Sequence, residues 1–387
     1  MLYITLLDQF HPGIYSSQVI DVCDYLNKKH NAGIRVLAFL SLRELLRSDA
    51  RKKLKELAPT AIVLPSFPGL KNFQMTSILL FWVCLFTGER QVICRNVFCA
   101  KMAFRVRRYG LLKKVVLDGR SALAAEIEEY DVFPTDYIRK NIREFEGDAV
   151  QRADFRMAVS KKLVEYWREH YSYMENKHVV IPCTLDQKYF SAGSFVLHKE
   201  TEDIKRSLEI GHEDIVLVYA GSTAPWQSFE LLEKIFVPLL RTDVRIKILF
   251  LSKETEDTKQ LQKQFQGRVH VKWVQHSQVL DHLACGDYGI LLREQSDTNK
   301  VASPTKFAEY LYAGLPVLIS QNLGDFSEFV IANNCGSVLK GDNIDWSFLK
   351  KINLETKQHC FELALKHFTK ESSQNDASYD RLISALK

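Results

Sequence analysis

Short apolar runs alternating with longer amphipathic segments constrain this chain more than any other feature. Leu2–Leu7 precedes a helical pattern from about Ser17 to Lys29, Ile34–Phe39 precedes Leu42–Glu56, and Ala61–Leu64 continues the rhythm. The apolar runs are short enough for strands and too short for helices. Strand and helix in regular alternation build a doubly wound parallel sheet with helices on both faces. The rhythm restarts at Asp214–Gly221 and continues through Ile246–Ser252, the stretch holding Val269, Val271 and Trp273, and Tyr288–Leu292. A chain of 387 residues is too long for one ordinary core, so two α/β domains are expected. The charge-rich stretch near 184–212 is the natural connection. We place the first domain at 1–190, the second at 191–365, and a C-terminal helix at 366–387, positioned to cross back to the first domain.

Composition narrows the class. Hydrophobic residues make up 46% and charged residues 26%, the balance of a globular protein. The eight cysteines are scattered through apolar segments without a C-x-x-C pair, which predicts reduced, buried thiols in a cytoplasmic protein and argues against a zinc site. Met1 leads directly into a strand-like run, with no basic leader or small-residue cleavage pattern. The longest apolar run, Ile78 to Phe86, is far shorter than a spanning helix needs. Net charge is +5 but uneven: +8 over residues 1–195 and −3 over 196–387. Between Arg95 and Lys114, seven basic residues alternate with Val97, Phe98, Met102, Phe104, Val106 and Leu111. That mixture suits an anionic membrane surface or a lipid-linked pyrophosphate; a basic solvated helix is the plain alternative. No nucleic-acid-binding motif accompanies the charge, so nucleic acid is not expected as a partner.

The densest chemistry lies between Asn299 and Ser320, reading N-K-V-A-S-P-T-K-F-A-E-Y-L-Y-A-G-L-P-V-L-I-S. Ser303 suits an N-cap and Pro304 a first helical position, while Gly314 and Pro316 end the helix before the strand Val317–Ile319. Phe307, Tyr310 and Leu311 form a buried stripe; Thr305, Lys306 and Glu309 share another face. The free N–H groups at the start of this helix, its dipole and Lys306 would suit a phosphate, and Glu309 one turn on could accept bonds from a ribose. An amphipathic helix with a solvated polar face is the alternative.

The string N-K-x-x-S-P-T-K-F-A-E-Y-L-x-A-G-L-P-V resembles the nucleotide-sugar motif of GT-B glycosyltransferases, in particular the retaining family 4 branch that builds capsule and other surface polysaccharides. Two further segments support the resemblance. Ala153-Asp154 with Val159-Ser160 and Leu163 resembles the segment closing that family's N-terminal domain, with Ser160 as cap for a helix to about His170. Ile181-Pro182-Cys183-Thr184-Leu185-Asp186 with Phe190 resembles its exit. The resemblance implies two Rossmann-like doubly wound parallel-sheet domains facing a cleft, with Glu309 on the donor ribose and Ser303, Pro304 and Thr305 near the diphosphate. It implies that the first loop, Gln9–Ser17, faces the acceptor, nominating Gly13 and Tyr15 there, with Arg95 at a neighbouring strand end. His11 in that loop is a further candidate.

Three departures carry weight. Gly221 stands where the family's Y-x-G-R…K-G loop places its glycine, but the arginine and lysine that meet the donor diphosphate correspond to Ser222 and Gln227. The family's E-x7-E pattern asks for a carboxylate where Val301 stands. No histidine occurs between His30 and His170, so the sugar-contacting histidine of many members falls to Asp118 or Arg120; an Asp–Arg pair tying a loop to a helix is the alternative. Cationic substitutes at the diphosphate are Arg293 and Lys306, which with Asp118 and Arg120 make the expected catalytic group.

The expected activity is transfer of a sugar from a nucleotide diphosphate sugar, most simply a UDP-sugar, to a glycan acceptor on a lipid carrier, with retention of configuration. Neither a cofactor nor a metal is expected, since no Asp-x-Asp motif is present. The expected location is cytoplasmic, peripheral on the inner face of the membrane. An epimerase of the same fold and a catalytically inactive scaffold are the rivals.

Overall fold

The computed structural model describes residues 1–7, 12–47, 49–130, 135–186, 199–221, 229–341 and 344–387. It divides into two compact units, Met1–Gln187 with Lys370–Lys387, and Lys188–Thr369.

The first unit is built on seven parallel strands: β1 (Leu2–Leu7), β2 (Arg35–Leu40), β3 (Ile62–Pro65), β4 (Gln91–Cys94), β5 (Lys114–Gly119), β6 (Phe155–Ala158) and β7 (His178–Val180). Their spatial order is β3-β2-β1-β4-β5-β6-β7. Successive strands first step outward from β1 and then reappear at β4 on its other side. The strand order therefore reverses between β1 and β4, and in open α/β sheets ligands collect at the carboxyl ends of the strands at such a reversal. Near-continuous apolar strands follow from burial on both faces, as in β2, where Val36 to Leu40 are buried.

The second unit holds six parallel strands: β8 (Ile215–Ala220), β9 (Ile246–Leu251), β10 (Val269–Lys272), β11 (Tyr288–Leu291), β12 (Val317–Ser320) and β13 (Gly336–Leu339). Their order is β10-β9-β8-β11-β12-β13, with the reversal between β8 and β11. All strand pairs in both sheets are parallel, as the alternating pattern requires.

Several boundaries move. The expected strand Arg90–Val97 is only Gln91–Cys94, because Asn96 turns extended and caps a helix, Val97–Arg107, its side chain accepting from the Cys99 N–H at 2.9 Å. The first helical pattern begins earlier than Ser17: Pro12–Tyr15 is already helical and runs through a π-turn, Ser16–Ile20, into Asp21–His30. Gly13 and Tyr15 therefore lie on a helix instead of in a loop. Leu42–Glu56 splits into Leu42–Arg47 and Ala50–Leu57. Ser160 caps Lys161–Tyr171 as expected, accepting from Leu163 N–H at 3.0 Å.

The C-terminal segment from Lys370 belongs to the first unit. Its helix, Ser373–Leu386, packs Tyr379 on Tyr25 at 5.2 Å. Lys370 is buried, pairing with Asp21 and donating to the Leu185 carbonyl at 3.1 Å. Burial holds its ammonium pKa down while Asp21 opposes the shift. All eight cysteines are buried, and none is joined in a disulfide.

Candidate functional site

The helix expected from Pro304 runs Thr305–Tyr312. Pro304 is its N-cap rather than its first residue: φ of −66° fits a helix, but ψ of 125° leaves the residue extended. The ring restricts φ and leaves ψ free, and the Pro304 carbonyl accepts from Phe307 N–H at 3.1 Å to close the first turn. Ser303, buried, thus stands one residue before the cap.

The C-terminal end behaves as its residues require. Gly314 takes φ of +76°, the Leu315 amide bonds the Tyr310 carbonyl at 2.9 Å, and the Gly314 amide bonds Leu311 at 2.9 Å. These two bonds are a Schellman cap, open to a residue without Cβ. The apolar stripe is as read from spacing. Phe307, Tyr310 and Leu311 are fully buried, and Phe307 stacks on Phe326 with ring centroids 4.2 Å apart. Each such side chain contributes about 1.5–3 kcal/mol through burial.

Tyr310 does more than fill space. Its hydroxyl accepts from the Ala220 N–H at 2.7 Å and donates to the Ile290 carbonyl at 3.0 Å. Burial pushes this hydroxyl well above its ordinary range, so it stays a donor. Ala220 ends β8 and Ile290 lies in β11, the two strands flanking the reversal in strand order. Gly289 in β11 makes the arrangement feasible, since a Cβ there would sit 2.4 Å from Cγ of Tyr310. Gly221, immediately after β8, is therefore held at the same sheet edge as the helix, its amide 3.4 Å from the Leu251 carbonyl.

The polar residues gather at this edge. Arg293 follows β11; its amide bonds Ser320 Oγ at 2.8 Å and its guanidinium reaches Asn299 Oδ1 at 3.3 Å. The loop expected over Gln295–Ala302 contains a helical turn, Asp297–Lys300, capped by Ser296, which accepts from Asn299 N–H at 3.2 Å. Asn299 also donates to the Glu294 carbonyl at 3.0 Å, fixing the turn that carries Arg293. Lys306 and Glu309, one turn apart, pair at 2.7 Å, with Glu309 buried and Lys306 about one-third exposed. Val301, at the position of the missing carboxylate, is a buried apolar residue. Ser222 and Gln227 lie outside the described residues, as does His11.

In the first unit, Arg95, Asp118 and Arg120 do come together at the carboxyl ends of β4 and β5. The buried Asp118 carboxylate stands 3.8 Å from Arg95 and 3.5 Å from Arg120 and accepts a bond from Tyr3. Arg95 and Arg120 both reach Gln18 Oε1, at 2.7 and 3.3 Å. Arg95, Asp118 and Arg120 border a cavity of about 50 Å³, large enough for a water and too small for a sugar ring. Tyr15 is buried with its hydroxyl 2.7 Å from Thr5 Oγ1, and Gly13 is exposed.

Sequence reasoning overlooked Glu146, which lines the same cavity from the helix Asp136–Arg152. It accepts from the Leu123 and Ala124 amides at 3.0 and 2.9 Å and from the Tyr171 hydroxyl at 2.8 Å. Burial nonetheless pushes its carboxyl up to about 7. Its only sequence signal was a carboxylate in register with Ile138, Ile142, Phe145 and Ala149 on the inward face. Among the described residues, no group of three or more His, Cys, Asp or Glu side chains is arranged to hold a metal.

The chain is similar over nearly its whole length to several solved structures. HepE of Anabaena in complex with UDP matches with a TM-score of 0.65 at 12% identity, over 99% of this chain and 100% of that one. Sucrose-phosphate synthase of Thermosynechococcus elongatus matches at 0.70 and 14%, over 99% of each chain. A protein of Listeria monocytogenes described as a candidate UDP-N-acetylglucosamine 2-epimerase matches at 0.52 and 13%, over 100% and 91%. No family model matches the sequence, and no curated protein does. At these identities the likeness establishes the fold, which is the two-domain α/β fold of GT-B glycosyltransferases.

Proposed function

We propose that the protein is a glycosyltransferase that takes a sugar from a nucleotide diphosphate sugar, most simply a UDP-sugar, and passes it to a glycan acceptor on a lipid carrier. The observation that carries this reading is the convergence, at the β8/β11 edge of the second unit, of Gly221, Arg293 and the first turn of the helix bearing Lys306 and Glu309. That edge is where an α/β sheet binds ligands, and it offers two cations beside the positive end of a helix, the set a departing diphosphate requires. UDP in the HepE complex is consistent with it. Glu309 binds the ribose, Arg293 orients the diphosphate and Lys306 follows the charge developing on the leaving oxygen. Ser303, Pro304 and Thr305 present the turn next to the diphosphate. The first unit takes the acceptor at the carboxyl edge of its sheet, on the side of Gly13, Tyr15 and Arg95, and the Asp118–Arg120 pair holds that edge in shape. Retention of configuration and a role in surface polysaccharide assembly belong to the same proposal, as does a cytoplasmic, membrane-peripheral location.

The test is incubation with a panel of UDP-sugars, with and without extracted lipid-linked glycans, and analysis of products. Sugar incorporated into glycan only when acceptor is present supports transfer. A changed sugar without acceptor assigns the epimerase chemistry for which the Listeria protein is described, and donor binding without any product assigns the inactive scaffold.

A further inference from the structure

The stretch between Lys71 and Glu89 carries no charged residue. It forms a 3₁₀ turn, Leu70–Thr76, and a helix, Ser77–Thr87. One face of this segment is buried through Phe73, Leu80 and Cys84, packing toward the helix Val97–Arg107, with Phe73 on Phe98 at 5.0 Å. The opposite face is equally apolar but open to solvent. Met75, Ile78, Trp82, Leu85 and Phe86, spaced by three and four residues, are 47%, 51%, 48%, 46% and 80% exposed. An apolar helix face left in water marks a surface that something covers.

The surroundings identify what. Arg105 on the neighbouring helix donates to Gln74 Oε1 at 2.8 Å, and the Tyr109 ring packs on Phe81 at 5.5 Å, so the basic helix end adjoins the apolar face. Beside Gln74, between this helix and the helix Asp136–Arg152, lies an open pocket of about 260 Å³ where Lys101, Arg105, Arg108 and Arg152 face a single carboxylate, Asp148. Lys101 and Arg152 share that carboxylate at 2.8 and 3.0 Å, leaving the pocket strongly positive. Most of the apolar residues that alternate along 95–114 face the core and do not belong to this surface. Val97, Phe98, Met102, Phe104 and Val106 are buried, and Arg107 is engaged bidentately by Asp154 at 2.9 and 3.1 Å.

We propose that the Met75–Phe86 face and the adjoining basic pocket together form a docking surface for an anionic lipid bilayer, the apolar side chains entering the interface and the pocket receiving lipid phosphate. Leu70–Thr87 passes the length and hydropathy requirement for a membrane span. Its regular helix has only 11 residues, however, about 16 Å against a hydrocarbon core of about 30 Å, and one face is committed to the protein. It lies in the interface plane instead of crossing. Trp82 and Tyr109 supply rings of the kind that settle at headgroup depth. A second copy of the chain is the poorer occupant, since a twofold contact over this face would bring the two basic pockets together. The surface is independent of turnover, so its test stands apart from that of the transferase reading.

The experiment is flotation of the full chain with vesicles of phosphatidylcholine, with and without phosphatidylglycerol. The chain is expected to float with the anionic vesicles and to be released by high salt. Trp82→Gln/Phe86→Gln, which keeps good helix formers at exposed positions, is expected to weaken binding about tenfold or more. Arg105→Gln/Arg108→Gln is expected to weaken it roughly fivefold per charge. Circular dichroism and thermal melting identical to the parent confirm that both variants fold. Absence of flotation with anionic vesicles, or equal flotation of folded variants and parent, overturns the proposal. So does a dimer, seen by sedimentation, that Trp82→Gln/Phe86→Gln dissociates without any vesicle binding by the parent.

Discussion

The Tyr310 hydroxyl lies 2.7 Å from the Ala220 amide and 3.0 Å from the Ile290 carbonyl, so one side chain bridges β8 and β11 at their reversal point. Tyr310→Phe leaves a buried N–H and a buried C=O without this partner, at a cost of about 1–3 kcal/mol. It should also weaken UDP binding, because the end of β8 that leads into Gly221 loses the bond at Ala220. Gly289→Ala drives a methyl toward the ring, which lies 2.4 Å from its ideal position, and should cost about 1–3 kcal/mol through overpacking. Urea midpoints unchanged in both variants would show that the bridge does not hold this edge together.

Glu309 is the residue whose role separates a donor site from a solvated helix face. It is buried and paired with Lys306, so its carboxylate is held in place before any ligand arrives. If it accepts bonds from a ribose, Glu309→Gln should raise the UDP dissociation constant by about ten- to a hundredfold, since a bond to a charged group is worth about 1.5–3 kcal/mol. Calorimetric titration with UDP reads this directly. An unchanged constant would return Glu309 to a purely helical role.

Legibility divided along physical lines. Phe307, Tyr310 and Leu311, and the Gly314 cap, follow from periodicity and backbone sterics, which are local. The parallel order of both sheets follows from strand and helix alternation. The exposed face of Met75–Phe86 was not legible, because an apolar run does not say which of its faces the fold will cover. Nor was the Tyr310 bridge: a tyrosine in a buried stripe reads as packing until the strands that its hydroxyl meets are known. The shift from Ser303 to Pro304 as cap rests on one ψ angle, which proline leaves free.

Glu146 makes a pH prediction with a definite sign. Burial raises its folded pKa to about 7 from the ordinary 4.5. The folded state therefore holds a proton that the unfolded state releases between these values. Its stabilising contribution is complete below about pH 4.5, falls as pH rises, and is lost once pH passes about 7. The span is on the order of 3 kcal/mol. Glu146→Gln cannot titrate, so the stability difference between parent and variant should shrink from pH 5 to pH 8. Urea melts at both values check this, and a constant difference would mean that the three donors around Glu146 keep it ionised throughout.

The cations at the second unit's sheet edge bear most directly on chemistry. A leaving diphosphate gathers negative charge that must be met, and the described candidates are Arg293, after β11, and Lys306, in the first turn of the helix. Arg293 is oriented by Asn299 at 3.3 Å, and its fork can grip two phosphate oxygens, so it should act mainly in binding. Lys306 is a point charge on a flexible stem, paired with Glu309 at 2.7 Å until a diphosphate competes for it. Its contribution should therefore grow as charge develops in the transition state. Lys306→Ala should lower turnover about 100-fold or more, the scale of removing one preorganised oxyanion donor, with a smaller change in KM. Arg293→Ala should raise the donor dissociation constant as well, and Lys306→Arg should restore turnover only in part, because the planar fork cannot follow the charge as an ammonium does. Steady-state kinetics with an established donor and acceptor distinguish the two roles. Turnover at parental level in both alanine variants would place the diphosphate away from this helix.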